Sequence, residues 1–335
     1  MHVCQRPRDA RTLRMELLDE IRRVVGFDAY ARLLTDPETS VGTSPLADVP
    51  CLPELPRLIR LKYLTEVNRW TTLSQSAALL TTTTGGDLSR SLVWREMLSQ
   101  YKVKDVASSV HRDQHGCWGF LDLWRLTGPF APSDAAFLAD IAAPVTAALR
   151  RAQAGTFVDP HERSTRGPIV LVLSPDLEVR AQTPQTQQYL RVLVPPDQDR
   201  SPVPASAYNV AAQLLANEAD VDTAPPWARV HLAGGLWLTL RAARLGDVGT
   251  PHQREFAISI EETAPTDRAA LFARAYGLST REAELLGHLA TGSDTRELAH
   301  RMFLSHHTVQ DHIKSIFTKT GVNSRPALLS RALGT

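Results

Sequence analysis

Cysteine is scarce in this chain. Cys4, Cys51 and Cys117 are the only three in 335 residues, odd in number and without C-x-x-C spacing. Neither a disulfide frame nor a zinc site follows from them. Net charge is nearly absent too, at +1 from 37 basic and 36 acidic side chains. That balance argues against wholesale disorder and against a polybasic membrane anchor. No apolar run approaches the length of a membrane span. Arg6, Arg8 and Arg11 are not followed by the apolar core of a signal peptide, so a cytoplasmic location is expected. G-x-S-x-G, H-E-x-x-H and G-x-G-x-x-G are all missing. Thr81 to Thr84 before Gly85-Gly86-Asp87 has neither the spacing nor the lysine of a phosphate loop, and reads as a loop before a helix. With no recognisable catalytic constellation, the chain is expected not to be an enzyme and to need no cofactor. No internal repeat is evident, and the length points to more than one domain.

What is present is concentrated at the C-terminus. From Tyr276 onward three helix starts follow one another. Ser279 and Glu282 make an S-x-x-E capping box. Leu285, Leu286, Leu289 and Ala290 recur behind it at helical spacing, and Thr291-Gly292 supplies the stop. Asp294 caps a short second helix that carries Glu297, Leu298, Ala299 and Met302. Ser305 caps a third, which runs to about Thr320 and ends at Gly321. Val309, Ile313, Ile316 and Phe317 share one face of this third helix. The opposite face holds His307, Asp311, Lys314, Ser315 and Thr318, with Thr308 and Gln310 at its edges. Short polar groups, an amide and an ammonium suit base edges and phosphate oxygens. A short helix followed closely by a longer, half-polar one is the helix-turn-helix arrangement. The competing reading is a small bundle with a solvated face. From Pro265 to Thr335, nine Lys/Arg stand against six Asp/Glu, with five His besides. This modest basic bias fits sequence-specific dimers and not a coat protein for nucleic acid.

At these residues the chain resembles the LuxR-type helix-turn-helix family of bacterial transcription regulators. The resemblance rests on Leu278-Ser279-x-Arg281-Glu282, Leu285, Gly292, Glu297-Leu298-Ala299, Leu304-Ser305, Thr308-Val309, His312, Lys319, Gly321-Val322 and Ser324-Arg325. It implies a four-helix domain over 268–335 whose third helix enters the major groove. Base contacts carried over from the family fall on Gln310, Asp311 and Lys314, and backbone contacts on Thr308, Lys319 and Arg325. Ser305, Val309 and Ser315 complete the expected DNA-binding set. Two departures stand out: Gln310 replaces a frequent lysine, and Asp311 would repel phosphate while suiting a cytosine amino group.

Upstream, Thr12 to Val25 reads as an amphipathic helix and Ala29 to Leu34 as a strand. The proline-bearing stretch 41–56 reads as irregular. Glu54 to Arg69 and Ser89 to Leu98 read as helices. Val103 to Arg112 and Cys117 to Arg125 read as a hairpin about Asp113-Gln114-His115-Gly116. Alternation along the second strand puts Trp118, Phe120, Asp122 and Trp124 on one face. His111, Asp113, His115 and Cys117 alternate like metal ligands, but the turn breaks the alternation and no metal site is expected. A helix capped by Ser133 closes the unit. The segments GFDAY, LTDPET and CWGFLDLWR resemble GAF-type sensory domains, which implies an α/β sandwich over 10–153. Such a domain implies a pocket, with Trp70, Trp118 and Phe120 as candidate ligand-binding residues beside a core-only reading.

Polar residues 154–165 read as a linker. Ile169–Leu173, Ser174-Pro175-Asp176 and Glu178–Ala181 then resemble the opening hairpin of a PAS domain, expected over 166–263. A helix at 205–216 and strands at 230–232, 236–243 and 255–260 would complete it. The stretch Pro195 to Pro204 suits a loop. His231 and His252 have no fixed partner in the pattern. The fold class expected is α+β multidomain: GAF-like sandwich, PAS-like antiparallel sheet and all-α helix-turn-helix domain. The function expected is a one-component transcription regulator, with double-stranded DNA, a second copy and a small-molecule effector as partners and RNA polymerase left open. The alternatives are an enzyme, or a ligand-free dimerisation scaffold, fused to a DNA-binding tail.

Overall fold

The structure, a computed structural model, describes residues 2–158, 169–186, 205–232, 234–246 and 254–334. Two antiparallel sheets and a C-terminal group of helices make up the chain. The first sheet contains β1 (Ala29–Thr35), β2 (Gly42–Asp48), β3 (Ala77–Leu79), β4 (Asp105–Asp113) and β5 (Gly116–Arg125), in the order β2-β1-β5-β4-β3. The second contains β6 (Ile169–Leu173), β7 (Val179–Gln182), β8 (Trp227–His231), β9 (Trp237–Arg244) and β10 (Phe256–Glu262), in the order β7-β6-β10-β9-β8. Counted from its own first strand, each sheet runs 2-1-5-4-3. The sequence shows no repeat because strand order is set by backbone pairing, which many different apolar and polar alternations satisfy.

Around the first sheet lie α1 (Ala10–Val24), α2 (Leu55–Leu64), α3 (Leu80–Thr83) and α4 (Pro132–Ala154). Helices α1 and α4 cover one face, burying Leu13, Leu17, Ile21, Leu138, Val145 and Leu149 against Leu121 and Leu123. Asp9 starts α1 by accepting from Arg11 N and Thr12 N. At the start of α4, Ala131 is the cap position and Pro132 the first helical residue, so Ser133 lies inside the helix. Asp134 supplies the reciprocal bond, accepting from Ala131 N at 2.9 Å.

Three sequence expectations need correction. The stretch 41–56 contains β2, where Pro45 is tolerated because β2 is an edge strand and its register shifts between Arg32 and Leu34 of β1. In place of a helix over 89–98 there is a 3₁₀ turn, Leu88–Arg90, and a π-helical turn, Trp94–Leu98. On β5 the ladder pairs His111 with Gly119 and Arg112 with Cys117, so Trp118 is an extra, bulged residue. The bulge reverses the alternation. Cys117 joins Phe120 on the face away from α4, while Trp118 packs with the α1 and α4 side.

Helix α5 (Ala205–Glu218) is shared between the units: it packs on β9 and also against α2 and β2. Charged groups reinforce this joint. The Arg229 Nε and backbone N–H donate to Asp36 Oδ2 at 2.7 and 2.9 Å, and Arg229 Nη2 reaches Asp36 Oδ1 and Glu38. Arg69 donates to Asp222 at 2.8 Å and to the Val221 carbonyl at 2.6 Å. Asp36, Arg229 and Arg69 are all buried. The linker expected at 154–165 begins in the last residue of α4; its remainder from 159, like Pro195 to Pro204 and His252, lies outside the described residues.

The C-terminal helices are α6 (Pro265–Ala275), α7 (Thr280–Ala290), α8 (Thr295–Arg301), α9 (His306–Thr320) and α10 (Arg325–Leu333). Helix α6 is one more than the four expected. It docks the group onto α4. Phe157, just beyond α4, meets Phe272 edge-on at 5.3 Å, and the Tyr276 hydroxyl donates to the Ala154 carbonyl at 3.0 Å. Trp237 of β9 stacks on the other side of Phe157 at 5.3 Å. One aromatic residue thus touches all three parts of the chain.

Candidate nucleic-acid interface

The caps read from the sequence are formed. Ser279 accepts from Glu282 N and Glu282 accepts from Ser279 N; Asp294 and Glu297 repeat the reciprocal pair. Ser305 Oγ accepts from Thr308 N at 3.1 Å and begins α9. Gly321, in the left-handed region at φ 69°, closes it. The turn between α8 and α9 carries Phe303 at φ 55°, with its ring 93% exposed.

Val309, Ile313 and Ile316 are buried and fix which side of α9 faces inward. Gln310, Asp311, Lys314 and Thr318 are exposed on the other side, and Ser305 and His307 are exposed at its start. His307 and Asp311 approach to 3.7 Å. Gln310, Asp311 and Lys314 therefore stand together on an open face, as expected. Val309 does not. It is fully buried and holds α9 to its neighbours, so it is removed from the contact set.

Ser315 and Lys319 are engaged within the domain. Glu282 of α7 accepts from Ser315 Oγ at 2.6 Å and from Lys319 Nζ at 2.6 Å, while still accepting from Ser279 N. Lys319 Nζ also reaches the Gly277 carbonyl at 3.3 Å. Burial raises the pKa of the Glu282 carboxyl, but the hydrogen bonds from Lys319, Ser315 and Ser279 outweigh it and hold it at about 2. Arg325 is half-buried and donates to Thr295 Oγ1. Ser315 and Lys319 thus orient α9 on α7, and Arg325 ties α10 to α8. The sequence marks Glu282 as a capping residue, but its second role depends on how α9 crosses α7.

The three pocket candidates are not brought together. Trp70 and Phe120 stack at 5.2 Å, but Trp118 lies across the sheet and donates to Asp113 at 2.9 Å. On the Trp70 face, Asp122 accepts from Trp70 Nε1, Ser108 Oγ and Lys62 Nζ at 2.7, 2.7 and 2.8 Å. This network leaves a cavity of only about 30 Å³. The residues weighed as metal ligands are also dispersed. Burial pushes His111 down to about 3, Asp113 pairs with Arg150 at 3.0 Å, and Cys117 is buried on the opposite face.

Residues 277–332 match the family described as bacterial regulatory proteins, luxR family. This segment is a LuxR-type helix-turn-helix domain. The matched residues comprise α7 to α9 and nearly all of α10; α6 lies before them. Over 56 residues the chain is 43% identical to Oxygen regulatory protein NreC of Staphylococcus aureus strain JH9, covering 17% of this chain and 26% of that protein. NreC of strain USA300 gives the same figures. The chain thus spans 26% of the length of these curated relatives. Escherichia coli SdiA aligns over 99% of this chain and 93% of its own, at 14% identity and a TM-score of 0.30, which is too low to carry an argument. No described helix is long and apolar enough to cross a membrane.

Proposed function

We propose that the chain is a bacterial transcription regulator that presents two copies of its LuxR-type domain to double-stranded DNA. The observation that carries this reading is the open polar face of Gln310, Asp311 and Lys314, on a helix whose other face is locked into its domain. Lys314 is placed to reach guanine O6 and N7, and Asp311 to accept from a cytosine amino group. Ser305 and Thr308 lie at the start of the same helix, where backbone and hydroxyl groups suit phosphate. In α10, Leu328 and Ala332 are buried, and the half-buried Leu329 and Leu333 are the surface assigned to pairing with a second copy. Residues 10–153 and 166–263 act as GAF-like and PAS-like control units, joined through 154–165. A small molecule bound among them shifts the population of domain arrangements.

Selection from a random duplex library tests this reading, followed by affinity measurement on the selected and a scrambled duplex at matched salt. Lys314→Ala is expected to cost about 1–3 kcal/mol on the selected site and to relax preference at one base pair per half-site. Equal loss on both duplexes would make Lys314 a phosphate contact. Footprints should show paired half-sites about one helical turn apart; a single, unrepeated site would remove the dimer.

A further inference from the structure

A cavity of about 710 Å³ lies where α1, β1, β2 and the end of α4 meet the second sheet unit. Its volume falls within the range of about 300–1,000 Å³ that holds small ligands. The inner face of the first sheet, by contrast, is closed by the Asp122 network. The cavity wall is rich in donors. Arg14 is 4% exposed, and its Nε and Nη1 are spent on the carbonyls of Ala10 and Ser44 at 2.9 and 2.5 Å. Its Nη2 makes no hydrogen bond among the described residues, and no carboxylate pairs with it there. Trp237, 4% exposed, and His231 also line the cavity, and among the described residues neither Trp237 Nε1 nor His231 Nε2 has a partner.

The other charges on the wall are accounted for. Arg229 is neutralised by Asp36, and Arg8 by Glu16 at 3.2 Å. Asp9 is occupied by Arg11 N, Thr12 N and Thr12 Oγ1. Arg14 is the buried cation of this wall that makes no ion pair among the described residues, and the Asp9 carboxylate acts on it only through space. Burial, together with Arg32 and Arg11 nearby, outweighs the pull of Asp9 and pushes the Arg14 guanidinium down to about 9. A buried cation without an anion is costly, and an incoming carboxylate or phosphate would relieve that cost. Leu34, Leu149, Ala152 and Trp237 offer apolar surface beside it.

We infer that this cavity between the units binds a small organic anion, its acidic group on Arg14 and its apolar body along Leu34, Leu149 and Trp237. The inference deepens the reading of the chain as a ligand-controlled regulator and rests on it. Trp237 connects the site to the LuxR-type domain: it stacks on Phe157, which meets Phe272 of α6. A ligand that tilts Trp237 therefore acts on the joint that docks the DNA-binding helices.

The test uses the full chain with benzoate and phenyl phosphate as anionic probes and benzamide as the neutral counterpart, followed by calorimetry. At least one anion should bind about tenfold more tightly than benzamide, the size of one charge-assisted hydrogen bond. Arg14→Gln, which keeps a side-chain donor for the nearby carbonyls, should remove that preference. Thr156→Trp, on the half-exposed cavity wall, should abolish binding of all three probes. The stronger of the two anions identifies the acidic group. No preference for either anion, or a preference that survives both variants, overturns the site; if Arg14→Gln does not fold, Thr156→Trp decides. Duplex selection on the same preparations keeps the two readings apart. Selected DNA without anion binding overturns the cavity alone, and anion binding without selected DNA overturns the regulator alone.

Discussion

The two joints in this molecule are built from different chemistry. The sheet units share an apolar core, Val41, Ile59 and Tyr63 with Tyr208 and Val210, and are fixed in register by buried ions, Arg229 on Asp36 and Arg69 on Asp222. The helical domain meets the sheets through Phe157, Phe272 and Tyr276, with Arg274 Nη1 donating to the His115 carbonyl at 3.1 Å and the Tyr276 hydroxyl to Ala154. A buried ion pair is directional, and separating it strands a charge in a poor dielectric. Aromatic contacts are less directional and can slide at smaller cost. The first joint is therefore suited to hold two units in one arrangement, and the second to release or re-seat a domain.

The largest effect should come from breaking the ionic joint. Asp36→Ala leaves the Arg229 guanidinium buried with only the half-exposed Glu38 as a carboxylate partner. It should destabilise the sheet units by about 3–5 kcal/mol in urea unfolding, with a smaller effect on the helical domain, which meets Arg229 at the Asp267 carbonyl. Phe272→Ala attacks the aromatic joint. A loss of about 3 kcal/mol is expected, at the low end for a buried phenylalanine because Tyr276 lies 4.5 Å away and can move into the gap. The diagnostic readout is faster proteolysis between β10 and α7 with an unchanged sheet transition; if both transitions fall together, the joints are not separable.

Within the helical domain, Glu282 gives a pH test. Its pKa is depressed when folded, so its stabilisation is present above the ordinary carboxylate pKa and is lost as pH falls through the folded value, about 2. Acid titration should therefore weaken the helical domain between about pH 4.5 and 2. Glu282→Gln should flatten that window and cost about 2 kcal/mol at pH 7; an unchanged acid profile would deny the clamp on Ser315 and Lys319. The smallest effect concerns Lys319. A lysine free to meet phosphate changes the slope of log affinity against log salt by about one unit. Because Lys319 is already paired with Glu282, Lys319→Met should change it by less, and a full unit would mean that the pair opens on DNA.

The helical domain is legible in the sequence because its signals are local. Ser279, Asp294 and Ser305 cap helices within three residues, Gly321 ends one, and the spacing of Val309, Ile313 and Ile316 decides which face of α9 is open. That face, with Gln310, Asp311 and Lys314, follows from periodicity alone. Val309 belongs to the same periodicity and is core, although it is counted in the expected DNA-binding set. The strands of both sheets are also largely legible from alternation.

What alternation cannot register is the single extra residue at Trp118, which moves that side chain across the sheet and separates it from Trp70 and Phe120. Nor does alternation predict β2, because Pro45 is acceptable only once the strand is known to lie at an edge. The sequence by itself determined the caps of α7 to α9, the open face of α9 and most of the individual strands, since each depends on neighbours within a few residues. Tertiary structure alone decided the repeated strand order, the pairing of Asp36 with Arg229 across 193 residues and the Glu282 clamp. It also decided the cavity around Arg14. These depend on which distant elements come to share a low-dielectric space, and no local spacing encodes that.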